Sequence, residues 1–201
     1  MFQEKVQKRL ELLGASEKPC QLVEISGDEV HLTEVGQGVA DLQVSLTSSS
    51  ILFRKLDEHK LPYLKIKTCA DYVLFENKDE DWVVHIFELK RTVKAKEWIH
   101  IKKQFSGALQ NVYALAGVLG IEIDLTKVKV YTVYRNDKLN DASNLAKLRY
   151  GFQTKPGSTG SSEQKEWNSD TVEIDFTEKV ILEHCKVQLD IETGAGQCRL
   201  A

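Results

Sequence analysis

The sequence has few cysteines and no paired cysteine motif. Four cysteines are far apart and form no CxxC pair: Cys20, Cys69, Cys185 and Cys198. This spacing argues against a structural zinc site. No apolar run approaches the roughly 20 residues that span a bilayer, and no signal-peptide pattern precedes the first charged segment. These absences predict a reduced, cytoplasmic setting and no membrane partner.

The motifs of several enzyme classes are also missing. The sequence contains no GxxxxGK[ST] loop and no Rossmann glycine pattern, which argues against a nucleotide-driven motor. No Ser-His-Asp or Cys-His arrangement rises above background. Apolar residues make up 42% of the chain, charged residues make up 28%, and the net charge is −3, which are ordinary globular values. With neither repeats nor a long linker, residues 1–201 are predicted to form one domain with a substantial core.

The charge is nevertheless unevenly placed. Residues 90–103 contain one acid, Glu97, and six basic residues: Lys90, Arg91, Lys94, Lys96, Lys102 and Lys103. A local basic strip can attract a polyanion even when the whole chain is slightly acidic. The alternative is a solvated charged face that binds nothing.

Hydrophobic periodicity predicts a strand, a helix and a second strand in the middle of the chain. Residues 82–91 are apolar on both faces, which is typical of a central strand covered by helices on one or both sides. Residues 96–119 carry apolar side chains at helical spacing, and Gly120 ends the helix. A strand at 128–134 follows a crossover long enough for parallel pairing. We therefore predict an α/β fold with a mixed central sheet and flanking helices.

Shorter patterns flank this core. On the N-terminal side they predict an amphipathic helix at 2–13 that packs on the domain or on a partner chain, a hairpin of 21–26 and 29–33, a strand at 39–46 and helical turns at 51–59. Strands at 61–68 and 69–75 are predicted to form a meander with 82–91. On the C-terminal side the patterns predict a short helix at 142–149, a mobile loop at 156–164, and strands at 171–176 and 180–189.

Three charged residues fall inside or beside the central strands: Asp71, Glu88 and Lys90. Side chains alternate along a strand, so Glu88 and Lys90 share a face. If Asn77 pairs with Trp82 across a four-residue loop, the same register places Asp71 opposite Glu88. A three- or five-residue loop sends Asp71 to the other face unless a bulge corrects it. Two converging carboxylates could hold a divalent cation. A buried ion pair of Lys90 with either acid, made for structural reasons, is the alternative.

Asp71, separated by sixteen intervening residues from Glu88-Leu89-Lys90 in an apolar strand and followed by a helix carrying Gln104, resembles the PD-(D/E)xK nuclease superfamily. The resemblance covers about residues 61–134. It implies a restriction-endonuclease-like core, N-terminal and C-terminal extensions of the sheet, and Mg²⁺- or Mn²⁺-dependent cleavage of phosphodiester bonds. The first motif lacks its proline, because Ala70 precedes Asp71. Many such enzymes act in restriction, repair or phage defence.

The resemblance also implies roles for individual residues. Asp71 and Glu88 would hold the cation with the Leu89 carbonyl, Lys90 would orient the attacking water, and Gln104 would support the site. Gln104 is equally well explained as a polar boundary residue, and His85 on the opposite face is expected in the core. The basic residues expected to contact phosphates of nucleic acid, DNA rather than RNA, are Lys65, Lys67, Arg91, Lys94, Lys102 and Lys103. A catalytically inactive binding or assembly subunit is the alternative, and a homodimer or an activating partner protein is compatible with the pattern.

Overall fold

The structure, a computed structural model, describes residues 4–10, 20–23, 29–35, 40–54, 56, 66, 68–78, 81–140 and 161–200. The strands are β1 Cys20–Val23, β2 Glu29–Glu34, β3 Ala40–Ser45, β4 Ser50–Arg54, β5 Tyr72–Lys78, β6 Asp81–Val93, β7 Val128–Asp137, β8 Thr171–Asp175, β9 Lys179–Gln188 and β10 Ala195–Arg199. Among the described residues, the α-helices are α1 Glu4–Leu10, α2 Ala95–Leu119 and α3 Ser162–Trp167, and a 3-10 turn, Leu125–Lys127, precedes β7.

The described strands form two sheets. The larger sheet has seven strands in the order β1-β4-β5-β6-β7-β9-β8, and the smaller has three in the order β10-β3-β2. In the larger sheet, β6, β7 and β9 run parallel, whereas the other neighbours are antiparallel. The chain is therefore of the mixed α/β class, as predicted.

The two faces of the large sheet are covered differently. The three helices pack on one face, where Trp98, Ile101 and Phe105 of α2 join Val84 and Ile86 of β6 in one buried cluster. The small sheet covers the other face through a second buried cluster of apolar side chains. Within the described residues the flanking helices thus lie on one side only. The continuous apolar pattern of β6 is explained by burial on both faces, with a sheet in place of the second helical layer.

The central predictions are confirmed. The strand expected at 82–91 is β6, the helix expected at 96–119 is α2, and β7 pairs with β6 in parallel. Gly120 follows α2 with φ of 68°, a left-handed conformation that glycine adopts without strain, and its N–H contacts the carbonyls of Ala116 and Gly117. The strands expected at 39–46, 171–176 and 180–189 correspond to β3, β8 and β9.

Three local predictions are wrong. Residues 20–23 and 29–34 form no hairpin, because β1 pairs with β4 in the large sheet and β2 pairs with β3 in the small one. The helical turns expected from Ile51 are strand β4, whose apolar residues are buried between neighbours. β4 also takes the place beside β5 that the meander assigned to 61–68, of which Ile66 and Thr68 are described and lie outside any strand.

Other differences lie toward the C-terminus. The loop predicted at 156–164 contains the start of α3, where the Ser161 hydroxyl accepts a hydrogen bond from the Gln164 N–H as a helix cap. β10 was not predicted, because alternate small and polar residues give it no apolar pattern. The helix expected at 142–149 lies outside the described residues.

Helix α1 uses its apolar side chains within the chain. Val6 and Leu10 are buried in the cluster beneath α2, so the described part of the expected helix at 2–13 packs on the domain. No helix in the described ranges is both long and apolar enough to cross a membrane.

Candidate active site

Asp71 lies immediately before β5, at the place where the pairing of β5 with β6 stops. Asn77 pairs with Trp82, as the predicted register requires, and the last pair of the ladder is Tyr72 with Phe87. Asp71 therefore precedes the strand rather than opening it. Its Oδ2 accepts a hydrogen bond of 2.7 Å from the backbone N–H of Leu89. This hydrogen bond takes the place of a further backbone hydrogen bond between β5 and β6. It holds the Asp71 carboxylate against the Glu88–Lys90 segment.

Glu88 is fully buried on the helix-covered face of the sheet. One carboxylate oxygen, Oε1, accepts a hydrogen bond from the Lys90 ammonium. The other, Oε2, is buried and has no partner among the described residues. Burial raises the pKa of Glu88, the charge of Asp71 raises it further, and Lys90 and Gln104 offset only part of this, so that the pKa lies at about 8 instead of 4.5. The positive charge near the Glu88 carboxyl therefore does not compensate for its burial and for the charge of Asp71.

Lys90 completes a compact charged group. Its side chain is 21% exposed and pairs with Glu88. Burial lowers the pKa of Lys90, but the charges of Glu88, Asp71 and Glu34 outweigh burial, and the net pKa is raised. The raised pKa of Lys90 keeps its ammonium charged, whereas burial and the charge of Asp71 oppose the ionisation of Glu88. The predicted convergence of Asp71, Glu88 and Lys90 is present in the structure, and so is the ion pair that the structural alternative requires.

Helix α2 fixes the segment that carries Asp71. The Gln104 amide nitrogen donates to the Cys69 carbonyl at 3.4 Å, and Asn111 donates to the Cys69 Sγ at 3.7 Å. A Cβ placed on Gly107 would lie 1.7 Å from the Thr68 carbonyl oxygen, so only glycine permits this approach of helix and chain. Neither Cys69 nor Gly107 was recognised from the sequence, where a mid-helix glycine carries no sign of what it touches.

Gln104 lies in the site region, as expected. It is 9% exposed, and its amide oxygen is buried without a partner in the described part of the chain. Its proximity lowers the pKa of Glu88, although the geometry leaves Glu88 Oε2 unbonded. Two unpartnered buried oxygens, Glu88 Oε2 and Gln104 Oε1, therefore occur in the same region.

Polar groups continue from Glu88 along the neighbouring strands. Thr132 pairs with Glu88 across β6 and β7, and its hydroxyl lies 3.0 Å from Nε2 of His184 on β9. His184 is buried among Trp98, Trp167 and Phe105. Burial, followed by the charge of Lys186, lowers the pKa of His184 to about 4, so it is neutral at physiological pH. Neither residue of this pair was recognised from the sequence.

The opposite face carries a separate buried network. His85 is fully buried, and its ring nitrogens lie 3.0 Å from the Tyr131 hydroxyl and 3.1 Å from a Glu76 oxygen. Burial opposes ionisation of Glu76, but bonds from His85 and Thr47 and the charge of Lys78 lower its pKa to about 2. The expectation that His85 is a core residue is confirmed.

The basic residues predicted to contact phosphate differ in their surroundings. Arg91, Lys94 and Lys103 are exposed. Lys102 is ion-paired with Glu166 at 2.8 Å, and Glu166 also accepts a hydrogen bond from the Trp98 indole, so Lys102 has a structural partner. Lys65 and Lys67 lie outside the described residues. Burial lowers the pKa of His100, and the charges of Lys90 and Lys103 lower it further.

The oxygen atoms at this position are of the kind that a hard divalent cation prefers as ligands. Asp71 and Glu88 supply carboxylates, and the unpartnered Oε2 with the raised Glu88 pKa marks a position where positive charge is missing. In the ranges that the structure describes, no group of three or more His, Cys, Asp or Glu side chains is arranged to hold a metal ion. From the described residues, a cation here would have the carboxylates of Asp71 and Glu88 and would complete its shell with backbone and water oxygens.

No protein-family model, curated protein or solved structure matches this chain. The assignment of function therefore depends on the geometry of the site and on the resemblance of its motif.

Proposed function

We propose that the protein is a metal-dependent nuclease with a restriction-endonuclease-like core. The observation that carries the proposal is the Glu88 carboxylate, buried on a central strand with one unpartnered oxygen and held between Asp71 and Lys90. Burying a carboxyl group of this kind is costly unless it is paired or binds metal. Lys90 satisfies only one oxygen, and Asp71 adds a second negative charge that a structural ion pair does not need.

Each residue then has a task that matches its position. Asp71 and Glu88 hold a Mg²⁺ or Mn²⁺ ion, with the Leu89 carbonyl as a further oxygen. The cation, when bound, supplies Lewis-acid stabilisation of the charge on the phosphate. Lys90 orients the attacking water and offsets charge that develops on the scissile phosphate. Gln104 supports the group by holding the segment that leads to Asp71.

The exposed basic residues beside the site favour a nucleic-acid substrate. Arg91, Lys94 and Lys103 follow Lys90 in the chain and are available to contact phosphates. We propose DNA ahead of RNA, by analogy with the superfamily that the motif resembles.

Cation binding and cleavage should be tested together in the wild type and in Asp71→Asn. The amide can still accept the Leu89 N–H bond but removes the charge. At a cation concentration about 100 times Kd, binding stabilises the fold by roughly 2.7 kcal/mol, which is on the order of 5–10 °C in Tm for a chain of this size. We expect this shift in the wild type and not in Asp71→Asn. Glu122→Gln, at an exposed position, is the matched control and should behave as wild type.

The same proteins should be assayed on single- and double-stranded DNA and RNA with Mg²⁺ or Mn²⁺. Cleavage by the wild type that is lost in Asp71→Asn supports the proposal. Equal thermal shifts in both proteins would contradict the cation site.

One observation favours a second function, a nuclease-fold subunit that binds nucleic acid without cleaving it. Lys90 pairs with Glu88, as expected if Lys90 only neutralises that carboxyl group. Nucleic-acid binding without hydrolysis on all four substrates would support this alternative.

A further inference from the structure

Three residues of α2 form one stripe that faces the chain leading into β5. Gln104, Gly107 and Asn111 are spaced three and four residues apart, so they lie on one side of the helix. A Cβ on Gly107 would lie 1.7 Å from the Thr68 carbonyl oxygen. The Gln104 amide nitrogen donates to the Cys69 carbonyl at 3.4 Å. The backbone of Thr68 and Cys69 therefore lies directly against this stripe.

Asn111 contacts the side chain of Cys69. Its Nδ2 donates to the Gly107 carbonyl at 2.9 Å, which fixes the amide along the helix, and to the Cys69 Sγ at 3.7 Å. Asn111 is 6% exposed and Cys69 is 4% exposed, so water hardly competes for this contact. A hydrogen bond is directional, whereas apolar burial is not. The contact with Asn111 therefore restricts where Cys69 sits along α2 in a way that packing alone does not.

Asp71 is held from two sides. Its Oδ2 accepts a hydrogen bond from the Leu89 N–H at 2.7 Å, which ties the carboxylate to β6. Two residues earlier in the chain, Cys69 ties the same segment to α2 through its carbonyl and its thiol. The position of Asp71 relative to Glu88 is thus set by α2 as well as by β6.

The spacing of Asp71 and Glu88 matters because small divalent cations accept little distortion. Mg²⁺ takes near-octahedral oxygen ligands at about 2.0–2.1 Å, and a binding group must be held within about 0.5 Å of its productive place. In the described ranges, no third acidic side chain joins Asp71 and Glu88 around one ion. A displaced Asp71 is therefore not replaced by another carboxylate.

We propose that Asn111 is a positioning residue for cation binding, which acts through Cys69 to set the place of Asp71. This inference rests on the proposed cation site and adds to it a residue far along α2. Groups that hold metal ligands in place typically change metal affinity by roughly 10–100-fold when they are removed. Because the effect of Asn111 passes through Cys69 and the backbone, we expect a value near or below the lower end of that range.

Mn²⁺ affinity, measured by calorimetry, tests the role of Asn111. Asn111→Leu is close in shape but has no donor. Asn111→Ser retains a hydroxyl that can bond to the Gly107 carbonyl, but its side chain is too short to reach Cys69. We expect both variants to weaken Mn²⁺ binding about five- to tenfold. Asn111→Ser decides the question if Asn111→Leu does not fold.

A double-mutant cycle shows whether the effect passes through Cys69. Cys69→Ala removes the acceptor of the Asn111 amide. In that background, Asn111→Leu should weaken Mn²⁺ binding by less than about twofold, because the two side chains act as one contact. The control is Ala116→Gly, which lies off the stripe on the same helix. It should lower stability through the poor helix propensity of glycine and bind Mn²⁺ as the wild type does.

Cleavage provides a second measurement that a purely structural role would not change. At Mn²⁺ near the wild-type Kd, Asn111→Leu should cleave more slowly than the wild type. Raising Mn²⁺ about tenfold or more should restore most of the rate, and KM for nucleic acid should stay nearly unchanged.

The outcomes distinguish the two proposals. If the wild type binds Mn²⁺ and cleaves, but the Asn111 variants bind equally well, the role of Asn111 is refuted and the nuclease assignment stands. The same holds if Asn111→Leu weakens binding as much in the Cys69→Ala background, or if Ala116→Gly weakens it as much as Asn111→Leu. If the wild type binds no Mn²⁺, the cation site itself is refuted, and the role of Asn111 falls with it.

Discussion

Replacing Glu88 by glutamine should change how the stability of the protein depends on pH. Glutamine keeps the shape of the side chain and an oxygen that accepts from Lys90, but it does not ionise. In the wild type without cation, the folded state holds a proton on Glu88 up to a pKa of about 8, whereas the unfolded chain releases it near 4.5. Any difference between the two proteins in this interval reports the ionisation of Glu88 alone.

The sign and size of the effect follow from proton linkage. Between pH 4.5 and pH 8 the folded state binds more protons than the unfolded state, so the free energy of unfolding falls as the pH rises. Each pH unit inside that window costs up to about 1.4 kcal/mol. From pH 5.5 to pH 7.5, the wild type should therefore lose roughly 2–3 kcal/mol more than Glu88→Gln.

Other groups do not obscure this comparison. The pKa values of His85 and His184 are lowered by burial, so both histidines add stability as the pH rises through their unfolded pKa near 6.5. That contribution is the same in both proteins and cancels in the difference. The measurement is urea unfolding of each protein in EDTA at pH 5.5, 6.5 and 7.5.

A divalent cation should remove the difference in slope. When Asp71 and Glu88 hold a cation, Glu88 is ionised in the folded state, and saturating Mg²⁺ should flatten the wild-type profile while leaving Glu88→Gln unchanged. Parallel profiles of the two proteins in EDTA would refute the reasoning, because they would mean that Lys90 already holds Glu88 ionised as an ordinary ion pair.

The remaining predictions concern catalysis, packing and substrate binding. Lys90→Ala should leave the fold and cation binding intact and lower the cleavage rate by at least on the order of 10²–10³; an unfolded variant would make Lys90 a structural residue, and wild-type cleavage would remove its catalytic role. Gly107→Ala should destabilise the protein by about 1–3 kcal/mol or more in urea unfolding, because the new Cβ meets a backbone oxygen. The control Gly117→Ala, where a Cβ meets no atom within 4 Å, should be neutral or stabilising by up to about 1 kcal/mol. Equal effects of the two substitutions would contradict the close approach of α2 to Thr68. Lys103→Ala should weaken nucleic-acid binding modestly and reduce the salt dependence of binding. Lys102→Ala should also lower Tm, because Lys102 pairs with Glu166. Identical salt slopes in the wild type and Lys103→Ala would exclude a phosphate contact at Lys103.

The sequence by itself determined the elements whose signals are local. The apolar run of β6 and the periodicity of α2 predict those elements because burial imposes a repeat on the chain. Alternation along β6 also placed Glu88 and Lys90 together, and the pairing of Asn77 with Trp82 was one of the registers that the sequence left open. In that register the second carboxylate, Asp71, comes to the same place.

Only the tertiary structure decided which distant segments meet. β1 and β2 are adjacent in the chain and form no hairpin because each finds its partner in a different sheet, and strand propensity does not encode that choice. The same holds for Gly107, whose neighbour Thr68 lies 39 residues away. Such contacts depend on the packing of whole layers. The shared face of Glu88 and Lys90 was therefore predictable from sequence, whereas the register that brings Asp71 to them and the residues that hold the group were decided by the tertiary structure.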